Sequence, residues 1–410
     1  IYEAATMFAK GDFSYLEKGG YLYHYPHQLG MVTYERVLLK LINNKESLFV
    51  SNLFFVLLIN WTSWKISQEL FEGNFMVQNL TIMFSFLFFP QLFFIAFVYG
   101  TIPGFAFFLL AVYFQILFLK RGKNKYVVLT FLFVTFATLL KNNYLIGAIS
   151  IACVFVLAAL EKKKIRMVVY GILMMGVVLL SGEMLNKFYE VESGYSIEGG
   201  EPKTLWIAMG LRDESSKLGG WYDGFNYSEF EKNNYDSKQS EKVAMESIIE
   251  SFDRFRKSPK YTIRFFRQKI ESTWCDPLFQ SIWSGPLEAT GQKVQSEKIS
   301  CLYEETFVHR LVRDFCGAWL IIIYGMFFLF FVRKNKENNM IMTGAIFFIG
   351  GFLFHLLWET KSQYVYPYVF CMIPYACYML DNVLKKIEKF LYGKKSNVEN
   401  ALKNDKKINY

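Results

Sequence analysis

The chain has 410 residues, 53% of them hydrophobic and 19% aromatic, and phenylalanine alone accounts for 43. These proportions exceed what a soluble core of this size uses, so they exclude an ordinary soluble protein and indicate a membrane protein with several spans. The net charge of +9 does not indicate a nucleic-acid partner, because the lysines and arginines lie in short clusters between apolar runs and in the tail rather than on one continuous face.

The chain begins with Ile1 rather than Met, opens in polar sequence and lacks the basic and apolar regions of a signal peptide. We therefore expect a segment to be missing upstream of Ile1. Within the first 46 residues the stretch Tyr21–Gly30 combines tyrosines, histidines and a proline. Such rings stack on sugars or lie at the level of lipid headgroups, so the stretch is typical of a platform at the membrane surface.

Nine apolar runs follow, and several are shorter than the roughly 20 residues that a perpendicular span needs. The predicted fold class is an all-α polytopic membrane protein with about nine transmembrane helices. The runs lie at 47–64, 76–98, 103–119, 126–140, 143–160, 167–184, 317–332, 341–358 and 364–382.

Short basic clusters predict the orientation of these spans. If every run crosses once, all the clusters fall on one side, and the positive-inside rule makes that side the cytoplasm. The remaining polar turns and the long polar segment then lie outside. The clusters occupy 120–125, 162–166, 333–336 and the tail from Lys385.

This orientation divides the chain into five parts. They are a first extracytoplasmic loop (1–46), a bundle of six spans (47–184), an extracytoplasmic loop or domain (185–316), a bundle of three spans (317–384) and a basic cytoplasmic tail (385–410). Breakers and helical periodicity predict two helices in the polar segment, near 240–257 and 259–274. In the second helix Lys269 is placed between the apolar positions, and the helix lies either on the membrane and spans or on its own domain. Cys275, Cys301 and Cys316 are the cysteines that could meet as a disulfide pair.

No phosphate-binding glycine loop, metal-ligand set or nucleophile elbow occurs in the sequence. The remaining candidates are ionisable groups at the predicted external ends of the spans. Lys141 and Lys361 could bind the phosphate of a lipid as it leaves the bilayer. Alternatively, Lys141 snorkels to water, and Glu359 pairs with Lys361.

Four short motifs occur at the predicted external side of the chain. They are the segment from Ala4 to Gly30, Tyr99–Pro103, Leu140–Asn143, and Glu359–Tyr364 with Tyr366-Pro367. Together they resemble the GT-C superfamily of integral membrane glycosyltransferases, in particular the protein mannosyltransferase and aminoarabinose transferase branches. The resemblance extends over nearly the whole chain. One departure concerns the first loop, where relatives have a Glu-Lys pair and this chain has His24-Tyr25.

The resemblance implies transfer of a sugar from a polyprenyl-phosphate donor to an extracytoplasmic glycan, teichoic acid or protein, in the plasma membrane of a bacterium. A carboxylate would deprotonate the acceptor hydroxyl while basic groups stabilise the departing lipid phosphate. The family's first span and its aspartate would lie upstream of Ile1, which leaves Glu3 and Asp12 as the nearest carboxylates for catalysis. No cofactor beyond the lipid-linked donor is implied, and relatives do not commonly need a metal. The implied substrate-binding residues are His24, Tyr25, His27, Gln28, Lys141, Asn142, Glu359, Lys361 and Tyr364.

Two other functions remain open at this point. A polysaccharide polymerase would place paired arginines in its external loops. This alternative remains open because the polar segment contains two such pairs, Arg254 with Arg256 and Arg264 with Arg267. A non-enzymatic transporter or flippase of lipid-linked sugars would instead show charges or broken helices at mid-depth in the bilayer.

Overall fold

The computed structural model describes residues 1–42, 44–197, 199–213, 218–284, 300–302, 306–333 and 342–408, with only the backbone described from residue 392 onward. These parts of the chain are helical and contain no strand, apart from one isolated parallel bridge between Trp221 and Thr360. The predicted all-α class is therefore confirmed. The basic cluster at 333–336 lies outside the described residues except for Arg333.

The helices are numbered here in chain order. The first segment contains α1 (Tyr2–Ala9), α2 (Tyr21–His24) and α3 (Leu29–Leu41). The first bundle contains α4 (Glu46–Leu70), α5 (Phe75–Phe86), α6 (Pro90–Phe93), α7 (Thr101–Arg121), α8 (Asn124–Leu140), α9 (Leu145–Lys162) and α10 (Arg166–Ser193). The polar domain contains α11 (Lys203–Leu211), α12 (Phe225–Lys232), α13 (Ser237–Lys257) and α14 (Pro259–Trp274). The second bundle contains α15 (Phe307–Val332), α16 (Met342–Leu357), α17 (Tyr366–Phe370) and α18 (Ile373–Ile408).

The structure contains fewer candidate membrane spans, judged by helix length and composition, than the nine that the apolar runs predict. Among the described residues, five helices are long and apolar enough to cross a membrane, and a sixth span is possible if α5 and the helical turns at 90–96 form one span bent by 45°. The helices α8 and α16 are apolar but shorter. The difference arises because these two helices are short, and because the runs at 76–98 and 364–382 are broken at apolar residues, Leu87–Phe89 in the first and Cys371-Met372 in the second.

Helix α7 lies at the centre of the first bundle. It packs against α4 and α8, while α9 packs against α10 and α16. Inside this core the side-chain amide of Gln115 donates to the carbonyl of Ile151 at 2.8 Å and accepts a hydrogen bond from the hydroxyl of Thr343 at 3.0 Å. The two bundles are therefore joined by a polar group whose hydrogen bonds are made within the protein.

The polar domain forms where local signals start and stop helices. Asp236 accepts a hydrogen bond from the backbone of Gln239, and Ser258 caps α14, which begins with Pro259. The first half of α14 packs on its own domain through Phe265, and its last residue, Trp274, packs against rings of the second bundle. The first half of α14 therefore packs on its own domain and its end packs on the second bundle, whereas a position on the membrane surface stays a prediction.

Candidate functional site

Two glycines bring separate parts of the chain into contact immediately before Lys141. A Cβ atom at Gly30 would lie 1.9 Å from the carbonyl oxygen of Leu139, and one at Gly100 would lie 2.2 Å from that of Leu140. Gly100 also has a φ of +73°, which residues with a Cβ atom rarely adopt. The end of α8 therefore contacts two other segments through its backbone: the aromatic stretch at Gly30 and the turn before α7 at Gly100.

Lys141 directs its ammonium group inward, between aromatic rings. Its Nζ atom lies 3.9 Å from the ring centroid of Tyr99 and 5.8 Å from that of Tyr364, and only 9% of the residue is exposed. Burial, with a smaller effect from Lys361, lowers the pKa of Lys141 to about 7 against the opposing effect of Glu359. A snorkelling lysine would extend to water, so the geometry argues against that alternative.

A small cavity opens beside Lys141. Its lining includes the polar residues Thr101 and Asn143 and the aromatic residues Phe347 and Tyr368. The predicted site residue Asn142 is exposed and begins the short helical turn Asn142–Tyr144. The second asparagine of the turn therefore lines the cavity with Lys141, whereas the structure places Asn142 at the surface.

Glu359 is a buried carboxylate that follows the end of α16. The residue is 3% exposed, and no described residue forms a hydrogen bond with its Oε2 atom. Burial raises the pKa of Glu359 to about 7, although the charges of Lys361, Lys269 and Lys141 oppose the shift. A carboxylate with these properties can accept a proton near neutral pH.

The turn that contains Glu359 is attached to the polar domain through its backbone. The amide of Glu359 donates to the carbonyl of Trp206 at 3.2 Å, and the amide of Thr360 donates to that of Gly220 at 3.0 Å. Two residues after Thr360, the hydroxyl of Ser362 donates a hydrogen bond to the Oδ2 atom of Asp276 at 2.6 Å. These bonds fix the position of the turn between α11, α14 and the second bundle.

Aromatic side chains line the region between this turn and the first segment. The Nζ atom of Lys361 lies 4.3 Å from the ring centroid of Tyr222. The indole of Trp206 lies 6.3 Å from Tyr222, 6.1 Å from Tyr25 and 6.2 Å from Trp358 between ring centroids. All five residues are partly exposed, so the region offers rings and a cation to a bound molecule.

The first segment contributes Gln28 and His27 to the same region. The side-chain amide of Gln28 donates to the hydroxyl of Tyr99 at 3.0 Å, the tyrosine whose ring contacts Lys141. His27 is exposed beside it, with its Nε2 atom 3.5 Å from the Gln28 amide. The structure therefore brings Gln28, His27, Tyr25, Lys141, Glu359, Lys361 and Tyr364 into one candidate site.

His24, another predicted binding residue, is 1% exposed and lies inside a contact between the first segment and the polar domain. Its Nδ1 atom is 2.8 Å from the Oε1 atom of Glu201, and the side-chain amide of Asn226 donates to Oε2 of the same carboxylate at 2.6 Å. The ring of Tyr227 stacks on His24 at 4.4 Å. These contacts give His24 a structural role.

Glu3 and Asp12, the predicted catalytic carboxylates, are engaged in local contacts of the first segment. Glu3 is exposed and accepts a hydrogen bond from the hydroxyl of Tyr15 at 2.9 Å. Asp12 accepts one from the backbone of Ser14 at 2.9 Å, and this bond lowers the pKa of Asp12. No described contact joins either carboxylate to Lys141.

Lys269 is a member of this region that the sequence did not identify. It is 1% exposed, which corrects its expected position on the polar side of α14. A spacing of four residues from both Phe265 and Thr273 places it on the buried face of the helix, and this spacing was the available signal. Tyr99 lies in the Tyr99–Pro103 motif, but neither Tyr99 nor Tyr222 was named as a site residue, because tyrosines in turns are common at membrane interfaces.

Among the described residues there is no group of three or more histidine, cysteine, aspartate or glutamate side chains arranged to hold a metal ion. Cys275 and Cys316 are free thiols, so the disulfide considered from the sequence is not formed. The chain matches no protein-family model, no curated protein and no solved structure. The fold and site define a helical protein with candidate membrane spans and a cluster of ionisable groups where the polar domain meets the bundles.

Proposed function

We propose that this chain is a membrane glycosyltransferase of the bacterial plasma membrane. It transfers a sugar from a polyprenyl-phosphate donor to an extracytoplasmic glycan, teichoic acid or protein. The observation that carries the proposal is the buried carboxylate of Glu359 within the electrostatic reach of Lys141 and Lys361. This arrangement supplies a base for the acceptor hydroxyl and cations for the departing phosphate in one place.

Glu359 replaces Glu3 and Asp12 as the proposed catalytic base. Its pKa of about 7 suits proton transfer near neutral pH, because a base is most effective when its pKa lies close to the working pH. The rings of Tyr25, Trp206 and Tyr222 supply surfaces on which a sugar can stack.

A route for the lipid chain is also available. An open groove is lined by Leu48 and Phe49 near the start of α4 and by the stretch Ala96–Tyr99. Tyr99 belongs to both this groove and the surroundings of Lys141. A polyprenyl chain in the groove would therefore bring its phosphate toward Lys141.

The two alternatives have less support. Arg267 forms an ion pair with Glu271, and Arg264 lies over the ring of Tyr261, so described contacts direct both arginines to their own helix rather than to Lys141. The bend between α5 and the turns at 90–96 is a broken helix of the kind that a transporter would show. The hydrogen bonds of Gln115 in the bundle interior, however, are made to Ile151 and Thr343, which suits a structural role better than a transport site.

The test uses the protein in lipid nanodiscs with radiolabelled polyprenyl-phosphate sugars and a membrane extract as acceptor. We expect transfer by the wild type and a loss of about 100-fold or more in Glu359→Gln and Lys141→Met. Lys187→Met is the matched control, because Lys187 is 78% exposed on its side chain and pairs only with nearby Glu190 among the described contacts. Full transfer by Glu359→Gln and Lys141→Met would contradict the proposal. Movement of the donor across the membrane of sealed proteoliposomes, without transfer in nanodiscs, would favour a flippase.

A further inference from the structure

A single ammonium group joins the polar domain to the end of α16. The Nζ atom of Lys269 donates to the carbonyl oxygens of Gly210 at 2.6 Å, Trp358 at 2.8 Å and Leu356 at 3.1 Å. An ammonium group has three N–H donors, so these three bonds use all of them. The carbonyls of Leu356 and Trp358 belong to the C-terminal end of the helix, where the dipole favours a cation.

The backbone around Lys269 leaves room for this side chain and little else. A Cβ atom at Gly220, which has a φ of +76°, would lie 2.8 Å from Cε of Lys269. One at Gly210 would lie 2.3 Å from the carbonyl oxygen of Leu357. The backbone at Gly210 therefore lies directly against the end of α16, and the stem of Lys269 lies against Gly220.

All three acceptors lie beside the residues that hold Glu359. Trp358 precedes Glu359 in the chain, and Gly210 lies in α11, the helix whose Trp206 carbonyl accepts the amide of Glu359. Gly220, which accepts the amide of Thr360, contacts the stem of Lys269. Lys269 thus contacts both sides of the turn while it makes no described hydrogen bond to the Glu359 side chain.

We propose that Lys269 is a positioning residue that fixes the Glu359 turn against the polar domain, and so places the carboxylate beside Lys141 and Lys361. The catalytic part of this inference depends on the proposed function. The positional part does not. Loss of the ammonium group would leave three buried carbonyls without their donor, which costs more than the bonds themselves contribute.

The experiment compares amide hydrogen exchange and transfer kinetics in nanodiscs for the wild type, Lys269→Met and Lys269→Gln. Methionine keeps much of the stem and removes every donor, whereas glutamine keeps two N–H groups. Tyr324→Phe is the matched control, because it removes a 2.8 Å hydrogen bond from α15 to the carbonyl of Trp274, at the other end of the same interface. All variants are first compared by thermal unfolding.

We expect exchange at the Glu359 and Thr360 amides to accelerate about tenfold in Lys269→Met and less in Lys269→Gln, with under about twofold change in Tyr324→Phe. In Lys269→Met we expect kcat to fall about 100-fold while the KM for donor changes less than about twofold, because donor binding is attributed to other lysines.

Unchanged exchange at Glu359 and Thr360 in Lys269→Met would overturn the positional role. If this variant does not fold, unchanged exchange in Lys269→Gln decides the question in the same way. Faster exchange with unaltered kcat would overturn the catalytic part. A wild type without transferase activity would count against the proposed function, while the exchange measurement would still decide whether Lys269 fixes the turn.

Discussion

The Nδ1 atom of His24 lies 2.8 Å from the Oε1 atom of Glu201, and both side chains are almost completely buried. This pair joins the aromatic stretch before the bundle to the start of the polar domain. A backbone bond from the amide of Glu201 to the carbonyl of His24, at 3.2 Å, reinforces the contact. The candidate site lies beside this junction, so its geometry depends on a contact between parts of the chain that are distant in sequence.

Glu201→Ala should destabilise the protein by about 3 kcal/mol, because removal of one partner leaves a buried histidine and the amide of Asn226 without their acceptor. Thermal unfolding in detergent, followed by intrinsic fluorescence, measures the loss. Lys232→Ala is the control, since the Lys232 side chain is 67% exposed and surface pairs contribute about 0–1 kcal/mol. Equal unfolding temperatures for the two variants would contradict the role assigned to the His24–Glu201 pair.

The second prediction concerns the pH dependence of Glu359. Burial raises the pKa of Glu359 to about 7, and a base must be deprotonated, so kcat/KM should fall as the pH decreases through about 7. Glu359→Gln should lose this acidic limb together with a factor of about 100 to 10,000 in kcat. Initial rates between pH 5 and 9 provide the test, and a limb that persists in the variant would assign the titration to another group.

The same shift gives a prediction for stability. The folded protein binds the Glu359 proton more tightly than the unfolded chain, so the contribution of this group is fully present below the unfolded pKa and is lost as the pH rises through about 7. Glu359→Gln should therefore unfold at a higher temperature than the wild type at pH 8, and the difference should shrink toward pH 5. A lower unfolding temperature for Glu359→Gln at pH 8 would show that the ionised carboxylate is stabilised by its lysines.

Much of the fold could be predicted from the sequence, because hydrophobic runs and helix-forming periodicity act locally. The α13 and α14 helices follow from Asp236, Ser258 and Pro259, which are ordinary start signals. The number of spans could not be predicted in the same way. The short lengths of the runs that form α8 and α16 were visible in the sequence, but a window of apolar residues does not reveal the bend between α5 and α6.

The candidate site could be predicted from the sequence only in part. Lys141, Glu359 and Lys361 could be selected because charges at the ends of apolar helices need an explanation. That the two lysines act on Glu359 rather than on Glu3 or Asp12 could not be predicted, since this depends on contacts between distant turns. His24 differs from these residues: its position in an aromatic stretch indicated binding, and the structure buries it against Glu201 and Tyr227.

The orientation predicted from the basic clusters can be tested with single cysteines in a variant that lacks the native ones. Lys232→Cys lies in the polar domain, and Lys123→Cys lies in the turn between α7 and α8. In intact cells, a membrane-impermeant maleimide should label position 232 directly and position 123 only after permeabilisation, because basic turns remain in the cytoplasm. The reverse labelling pattern would place the candidate site on the cytoplasmic side and contradict the proposed acceptor.

Gly30 provides the last prediction, because it permits the closest backbone contact next to Lys141. A methyl group at this position would lie 1.9 Å from the carbonyl oxygen of Leu139, so α3 and the end of α8 would have to separate. Gly30→Ala should therefore destabilise the protein by about 1–3 kcal/mol. The protein that remains folded should also transfer less sugar, since Lys141 moves with the end of α8.

Gly182→Ala is the matched control. A Cβ atom there meets nothing within 4 Å, and alanine in a helix is favoured over glycine by about 0.5–1 kcal/mol. The unfolding temperature should therefore fall in Gly30→Ala and rise in Gly182→Ala, and only Gly30→Ala should lose transfer activity. A stable, fully active Gly30→Ala would show that the close contact at Gly30 does not position Lys141.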